Sequence, residues 1–295
     1  MFLSRKYDGI YVMKGLVLMS ICFYRGSFMP LEECRIPVTD LAILRGIGVF
    51  DSIRTYGKNI FALNEHIDRL SESAKRCGIE AEAIIRELPD IIKRGVCRDS
   101  LPDKDLVIKP YITGGRFNDH GHFPEPDFFV IFEEAHVMTQ EELNRGVALR
   151  PVYSQRPFPE TKSTNYLTGY VPMIGAKPNE FEALYIVNGE ITEATASSFF
   201  LCKDGKIVTA PVGKVLRGIT REILITLLKE NNFTVEERCP LESELSQAEE
   251  AFISGSIKEV LPVISVGDQT IGNGHPGPVS KHVHKLFLSN LKRWM

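Results

Sequence analysis

The chain has 295 residues, of which 43% are hydrophobic and 25% are charged. This composition is that of an ordinary globular protein, and the length predicts two domains around a sizeable core. The formal net charge of -3 gives no electrostatic reason to expect nucleic acid or an acidic membrane as a partner.

The six cysteines are scattered along the chain without a CxxC pair. This pattern predicts free thiols in a reducing cytoplasm rather than a disulfide framework or a zinc site. The apolar run at 14–23 is too short to span a membrane and lacks an A-x-A-like cleavage site, so we interpret it as a first β-strand. Residues 1–13 show no clear pattern. We interpret them as an extension, which covers at most residues 1–18.

Strand and helix patterns follow one another in the first half of the chain. Strands are predicted at 48–56 and 60–63 around the turn GKN. A helix is predicted next, in LNEHIDRLSESAKRCG, because apolar residues recur there on one face. Asn64 can cap its start and Gly78 ends it.

A second helical pattern runs through AEAIIRELPDIIKRGV, with Pro89 as a kink or a break. Two strands are then predicted, in DLVIKPYIT and DFFVIFEE, with the polar loop GGRFNDHGHFPEP between them. A loop of that length inside a compact domain is often functional.

The pattern changes at residues 134–139, where we place an interdomain loop. The N-terminal α/β domain is then 1–133, and the C-terminal domain is 140–295. Two β-hairpins are predicted in the second domain, with turns at Asn188-Gly189 and Asp204-Gly205.

Three further helices are predicted in the second domain. LRGITREILITLLKENN has an apolar face and a C-cap at Asn231 or Asn232, and GPVSKHVHKLFLSNLKRW is amphipathic. Residues 165–177 also favour a helix, although Pro172 will kink or break it.

Three polar features could bind an anion, and each has a simpler structural explanation. Gly218 and Thr220 stand at a helix start, where free N–H groups and a hydroxyl make a phosphate cup, although such residues usually only cap helices. Ser256 lies in a turn of small residues that can approach an anion, or that is only a polar turn. Arg69 lies off the apolar face of its helix, so it can clamp a phosphate or form a surface ion pair.

Lys162 and Glu193 form the fourth feature. Pyridoxal 5'-phosphate (PLP) has a phosphate, a carbonyl group and a ring nitrogen, and it would use all four features. A lysine forms a Schiff base with the carbonyl carbon, and a carboxylate stabilises the protonated pyridine nitrogen. No single feature is specific, but their combination predicts a PLP site.

These segments resemble the class IV, or fold type IV, PLP-dependent aminotransferases, which include branched-chain aminotransferases, D-amino acid aminotransferases and aminodeoxychorismate lyases. The resemblance implies an α+β fold of two domains with the cofactor between them, and a homodimer with active sites near the subunit interface. It runs from about residue 19 to the C-terminus, in the family order, through VTDLAILRGIGVFDSIRTY, LNEHIDRLSESA, KSTNYL, EALYIVNGEITEATASSFF, VLRGITRE and SGSIKEVLPV.

The resemblance assigns roles to single residues. Lys162 corresponds to the Schiff-base lysine, which also carries the proton, and Glu193 corresponds to the partner of the pyridine nitrogen. Tyr166 resembles a tyrosine near the cofactor's ring oxygen, and Leu216 would pack on the cofactor ring. The phosphate would be bound by Arg69, Gly218, the backbone amides of Ile219 and Thr220, the Thr220 hydroxyl, and Ser256 in place of a frequent threonine.

The substrate site is less well defined by the resemblance. Phe50 resembles an aromatic residue that lines the substrate pocket. The strand that often carries an arginine for the substrate carboxylate reads VIKPYITGGRF, so Lys109 and Arg116 are both candidates. His122 in the following loop is a further candidate substrate ligand.

Two motifs depart from the family pattern. The usual GDGVFE is GIGVFD here, with Ile47 and Asp51, and Ser198 replaces a frequent asparagine. We expect neither departure to alter the catalytic chemistry.

The sequence therefore predicts transamination between an amino acid and a 2-oxo acid, with a branched-chain amino acid preferred because Phe50, Tyr166 and Ile47 are largely apolar. A D-amino acid aminotransferase and an aminodeoxychorismate lyase, which eliminates pyruvate, are the alternatives. A protein that binds PLP without turnover would need neither Lys162 nor Glu193. We expect a cytoplasmic homodimer without a metal ion, a nucleic-acid partner or a membrane.

Overall fold

The computed structural model describes residues 20–116 and 123–295. Within these residues the chain divides into two compact units, which we call the N-terminal and the C-terminal unit. They are, respectively, residues 20–136 with 161–165 and 294–295, and residues 137–160 with 166–293.

An antiparallel sheet of seven strands is the centre of the N-terminal unit. Its strands are β1 (Ile21–Tyr24), β2 (Ser27–Pro30), β3 (Gly48–Phe50), β4 (Ile53–Tyr56), β5 (Asn59–Ile60), β6 (Leu106–Thr113) and β7 (Asp127–Glu134). They lie in the order β2-β1-β7-β6-β4-β5, and β3 also pairs with β6. Of the predicted first strand, residues 14–19 lie outside the described part of the chain, as does the predicted extension at 1–18.

Three helices belong to this unit: α1 (Leu41–Arg45), α2 (Leu63–Arg76) and α3 (Glu82–Val96). Apolar residues of α2 and α3 pack on one face of the sheet, around residues such as Leu70, Leu88, Ile108 and Phe132, all fully buried. The predicted helices are confirmed, and α3 continues through Pro89 without a break.

The predicted strands around the turn GKN need two corrections. The strand predicted at 48–56 is two strands, because the chain is irregular at Asp51, whose carboxylate accepts a hydrogen bond from the next backbone N–H at 2.6 Å. The strand predicted at 60–63 ends at Ile60, because Ala62 takes a left-handed conformation (φ 49°) and becomes the N-cap of α2 in place of Asn64.

The segment 161–165 belongs to the N-terminal unit, whereas the predicted boundary assigns it to the second domain. It runs beside β3, where the backbone N–H of Phe50 donates to the oxygen of Lys162 at 3.0 Å and that of Thr164 donates to Gly48 at 2.9 Å. These hydrogen bonds attach the segment to the N-terminal sheet, although it follows the predicted boundary in sequence.

The C-terminal unit has a nine-stranded sheet. Its strands are β8 (Val147–Val152), β9 (Glu180–Val187), β10 (Glu190–Ala194), β11 (Ser198–Lys203), β12 (Lys206–Thr209), β13 (Thr234–Glu237), β14 (Glu250–Gly255), β15 (Glu259–Val266) and β16 (Gln269–Thr270). The order is β10-β9-β8-β15-β14-β11-β12-β13, with β16 beside β15. An additional pairing of β10 with β11 closes six of these strands into a ring.

Both predicted hairpins are confirmed. Asn188 and Gly189 connect β9 to β10, and Asp204 and Gly205 connect β11 to β12; all four residues have positive φ. That conformation is the one that a two-residue hairpin turn requires and that Asn-Gly and Asp-Gly tolerate.

The helices of the C-terminal unit are α4 (Gln140–Arg145), α5 (Leu167–Tyr170), α6 (Ile219–Glu230) and α7 (Pro278–Asn290). Asn231 is the C-cap of α6, as predicted. The helix predicted over 165–177 is only the single turn α5, followed by a 3-10 turn at 171–173 that contains Pro172. Proline has no backbone N–H to continue the helical hydrogen bonds.

The mixed helices and strands in two units confirm the predicted α+β fold. None of the helices in the described residues has the length and apolar composition that a membrane span needs.

We predict that Gly95→Ala destabilises the N-terminal unit. A Cβ atom at Gly95 in α3 would lie 2.2 Å from the ring of Phe132 in β7. Alanine normally stabilises a helix relative to glycine by about 1 kcal/mol, but overpacking of this kind costs roughly 1–3 kcal/mol. Urea unfolding should therefore show a lower free energy of unfolding. Lys93→Ala, on the exposed face of the same helix, is the control and should change it by less than about 0.5 kcal/mol; a more stable Gly95→Ala protein would contradict the packing.

Candidate active site

Lys162 is held rigidly in the N-terminal unit. Its backbone oxygen accepts from Phe50, and its backbone N–H donates to the hydroxyl of Ser73 in α2 at 3.2 Å. The residue is only 8% exposed, and its Nζ lies 4.7 Å from the centre of the Phe50 ring. The structure therefore places a buried amine over an aromatic face, which is uncommon for a lysine that serves only as a surface charge.

A buried charged cluster lies in the same unit, formed by Asp51, His66 and Arg69. Nε of Arg69 donates to Oδ2 of Asp51 at 2.9 Å, and Nη2 donates to Oδ1 at 2.6 Å. Nδ1 of His66 lies 2.8 Å from Oδ1 of Asp51. Asp51 and His66 are fully buried and Arg69 is 7% exposed, so the guanidinium is fixed by a bidentate ion pair.

This cluster corrects one expectation. Arg69 lies off the apolar face of α2, but its ion pair is buried rather than on the surface, because the carboxylate of Asp51 faces it from the sheet. Asp51, one of the departures from the family pattern, fixes the orientation of Arg69 through these hydrogen bonds.

Burial and charge determine the protonation of this cluster. Burial opposes ionisation of Asp51, but the charge of Arg69 and the hydrogen bond from His66 hold the pKa of the Asp51 carboxyl well below its usual range. Burial lowers the pKa of His66, the Asp51 carboxylate opposes this, and the positive charges of Arg69 and Lys162 lower it further. At neutral pH the cluster is therefore an ionised Asp51–Arg69 pair with a neutral imidazole.

Three aromatic rings form a row that begins at Phe50. The ring of Phe50 stacks on that of Tyr111 with centroids 5.2 Å apart, and Tyr111 stacks on Phe129 at 4.8 Å. The register of the sheet causes this, because Phe50 lies opposite Tyr111 in β6, which lies opposite Phe129 in β7. All three rings are half-buried.

The three predicted ligands of a substrate carboxylate have different surroundings. Lys109 in β6 forms an ion pair with Glu133 in β7. Arg116 is exposed and lines an open cavity of about 260 Å³ whose other charged residues include Asp40 and Glu125. His122 lies outside the described residues.

Glu193 is the buried carboxylate of the C-terminal unit. It lies in β10, is 5% exposed, and accepts a hydrogen bond from the backbone N–H of Leu216 at 3.2 Å. Nε of Arg156 lies 3.1 Å from its second oxygen. Sequence reasoning missed Arg156, because the stretch around it has no pattern and no local signal could have found it.

The predicted phosphate cup is also in the C-terminal unit. Gly218 is the N-cap of α6, Ile219 begins the helix, and the Thr220 hydroxyl lies 3.4 Å from that of Ser256. A Cβ atom on Gly218 would lie 2.6 Å from Oγ of Ser198, so only glycine lets the chain approach this closely. Backbone donors of a helix N-terminus and two hydroxyls therefore converge, which suits an anion.

A second buried ion pair supports the turns around this cup. The carboxylate of Glu182 accepts from the backbone N–H of Ala196 and from the Ser197 hydroxyl, both at 2.9 Å, and it pairs with the ammonium of Lys258. Since Lys258 lies two residues after Ser256, this network ties the loop after Glu193 to the turn that carries Ser256.

The remaining two predicted residues also belong to the C-terminal unit. Tyr166 is half-buried and is the N-cap of α5. Leu216 is half-buried just before α6, and its backbone binds Glu193 as described.

The chain belongs to the class IV aminotransferases. The model of the family Amino-transferase class IV matches residues 48–266. The D-alanine aminotransferase of Bacillus licheniformis is 34% identical over 275 residues, which are 91% of this chain and 96% of the relative. A protein of Methanocaldococcus jannaschii, provisionally named a branched-chain-amino-acid aminotransferase, is 30% identical over 92% of this chain and 96% of its own length.

Solved structures of branched-chain aminotransferases share the fold. The T.th. enzyme complexed with N-(5'-phosphopyridoxyl)-L-glutamate has a TM-score of 0.82 at 25% identity and covers 93% of this chain and 95% of its own. The Escherichia coli enzyme has a TM-score of 0.78 at 27% identity, with 92% and 94% covered. The predicted family, fold and class of enzyme are thereby confirmed.

We predict that His66 makes the stability of the protein depend on pH. The pKa of His66 is lowered in the folded chain from its ordinary 6.5. His66 therefore binds a proton at a higher pH in the unfolded chain than in the folded chain. The free energy of unfolding should be highest above pH 6.5 and fall below it, by at most about 1.4 kcal/mol per pH unit. Urea unfolding at pH 5 to 8 measures this fall.

His66→Asn provides the comparison, because its amide can donate to Asp51 without titrating. The fall in stability between pH 7.5 and pH 5 should be smaller in this variant than in the wild type. His275→Asn, on the exposed surface, should keep the wild-type fall. Equal falls in His66→Asn and the wild type would show that His66 is not buried in its neutral form.

Proposed function

We propose that this class IV aminotransferase transfers the amino group of branched-chain amino acids to a 2-oxo acid. It uses pyridoxal 5'-phosphate, the cofactor of its family, attached to Lys162. The amino acid and the 2-oxo acid are its small-molecule partners.

The observation that carries the substrate preference is the aromatic row beside Lys162. The buried amine lies 4.7 Å from the Phe50 ring, and Tyr111 and Phe129 continue the stacked surface across the sheet. Burying apolar area yields about 25 cal/mol per Å², so an aliphatic side chain gains more from this surface than a small or charged one.

The donor set of the C-terminal unit fits the cofactor. Glu193, held by Leu216 and Arg156, would stabilise the protonated pyridine nitrogen. The phosphate would be bound by Gly218, Ile219, Thr220 and Ser256 of the cup and by Arg69; Tyr166 and Leu216 would contact the cofactor ring. When bound, PLP acts as an electron sink for the charge that develops at the substrate α-carbon.

Lys162 performs the proton transfer in this proposal. Its Nζ would take the proton from the substrate α-carbon as a general base and would donate a proton again as a general acid. The backbone hydrogen bonds to Phe50 and Ser73 keep the base of the side chain fixed while Nζ performs both transfers.

The ligand of the substrate carboxylate is proposed among Lys109, Arg116 and His122. An anion at Lys109 would compete with Glu133, and one at Arg116 would meet the acidic side chains of Asp40 and Glu125. We also propose that the protein is a cytoplasmic homodimer, as the family resemblance implies, with no nucleic-acid or membrane partner.

The alternative substrate is a D-amino acid. It is favoured by the 34% identity to the D-alanine aminotransferase of Bacillus licheniformis. Lys162 and Glu193 would have the same roles, because the stereochemistry of the donor does not change the need for a base and an electron sink.

The test of the proposed function is a comparison of amino donors. With 2-oxoglutarate as acceptor, kcat/KM for L-leucine should exceed that for D-alanine at least about tenfold, which one or two methylene contacts suffice to produce. A higher value for D-alanine would establish the D-enzyme instead. Pyruvate released from aminodeoxychorismate without an acceptor would establish the lyase.

Tyr111→Ala tests the aromatic row within the same experiment. It should lower kcat/KM for L-leucine about tenfold, mainly through KM, while the bound cofactor keeps its visible absorbance. Tyr153→Ala, which removes an exposed tyrosine of the C-terminal unit, should leave both unchanged. If Tyr111→Ala lowers kcat/KM equally for L-leucine and L-alanine, the aromatic row does not bind the substrate side chain.

We predict that Lys162→Ala abolishes the covalent attachment of PLP. Borohydride reduction of the wild type should fix the cofactor to the peptide that contains Lys162, and mass spectrometry locates it independently of activity. Lys177→Ala, at an exposed lysine, should retain the attachment. Cofactor fixed to another lysine in the wild type would overturn the assignment.

A further inference from the structure

The structure brings two thiols together at one edge of the N-terminal sheet. Cys22 lies in the middle of β1, and Cys34 follows the 3-10 turn Leu31–Glu33 at the end of the β1–β2 hairpin. The Sγ–H of Cys22 donates to Sγ of Cys34 over 3.5 Å. A disulfide bond needs the two sulfur atoms about 2.05 Å apart, so a shift of roughly 1.5 Å would join them.

We propose that Cys22 and Cys34 are a redox modification site that forms a reversible disulfide with peroxides. The proposal does not depend on the proposed function, because it needs only these two side chains. It differs from the sequence-based expectation of scattered free thiols, since twelve positions separate the two residues and no motif marks them.

The surroundings of the two thiols differ in a way that sets their order of reaction. Cys22 is fully buried, whereas Cys34 is half-buried and meets solvent. Burial, together with the neighbouring Cys34, raises the pKa of the Cys22 thiol. A peroxide therefore reaches Cys34 first, and Cys22 is the thiol that resolves the product.

The reaction balances in two steps. The sulfur of Cys34 attacks one oxygen of hydrogen peroxide and the O–O bond breaks; Cys34 becomes a sulfenic acid, and the other oxygen takes up the thiol proton and leaves as water. The sulfur of Cys22 then attacks the sulfenic sulfur, the S–O bond breaks, and the hydroxyl leaves with the Cys22 proton as a second water. Two thiols and one hydrogen peroxide give one disulfide and two waters.

The site lies on the face of the sheet that carries the aromatic row. Cys22 is opposite Ile131 in β7, and Tyr24, two residues on, is opposite Phe129. Residues two apart in a strand point to the same face, so the disulfide would fasten the turn after β2 to that face. It would also restrict the conformations of the unfolded chain between the two residues, which would stabilise the folded unit.

Peptide mapping of the full-length protein with bound cofactor tests the proposal. Trypsin cuts after Lys14, Arg25 and Arg35, which places Cys22 in peptide 15–25 and Cys34 in peptide 26–35. After treatment with a small excess of hydrogen peroxide, these two peptides should be joined, two of the six thiols should be lost, and dithiothreitol should restore both. The unfolding temperature should rise by roughly 5 °C on oxidation.

Variants distinguish the roles of the two cysteines. Cys22→Ser should accumulate a sulfenic acid at Cys34 that dimedone traps, and Cys34→Ser should lose the cross-link. Cys97→Ser, at an exposed cysteine, should keep it. If the wild type yields sulfinic acid at Cys34 with separate peptides, or if Cys97 is oxidised while both proposed thiols remain, the proposal is wrong; this outcome is measured on the wild type and needs no variant to fold.

Discussion

The backbone hydrogen bonds between β3 and the segment 161–165 are the constraint on which the candidate residues of the N-terminal unit depend. They fix Lys162 beside Phe50, although the two are more than one hundred residues apart in sequence. The ring of Phe50 stacks on Tyr111 of the aromatic row, whereas the carboxylate of Asp51, the next residue, bonds to side chains of α2. One short stretch thus positions the amine, the aromatic surface and the carboxylate that holds Arg69.

Three buried carboxylates of the two units are paired with buried or nearly buried cations. Asp51 pairs with Arg69, Glu193 with Arg156, and Glu182 with Lys258. An isolated buried charge is costly, whereas a paired and hydrogen-bonded one is tolerated and held in one orientation. Two candidate cofactor ligands, Arg69 and Glu193, are therefore each held by an oppositely charged partner.

Much of the fold could be predicted because its signals are local. The Asn-Gly and Asp-Gly turns, the apolar faces of α2 and α6, and the cap at Asn231 depend on neighbours within a few positions, and the structure confirms them. The N-cap of α2 and the interruption at Asp51 differ from the prediction, because a left-handed Ala62 and a buried carboxylate follow from tertiary contacts. The same holds for the grouping of residues 161–165.

The sequence by itself determined the family, the α+β fold and the residue types available for PLP chemistry, because the order and spacing of these motifs are specific as a set. Only the tertiary structure decided which side chains share an environment. Arg156 beside Glu193, Tyr111 beside Phe50, and Cys22 beside Cys34 are neighbours through strand register and chain reversal. Such distances depend on how distant segments pair and pack, and no local pattern in the chain encodes them.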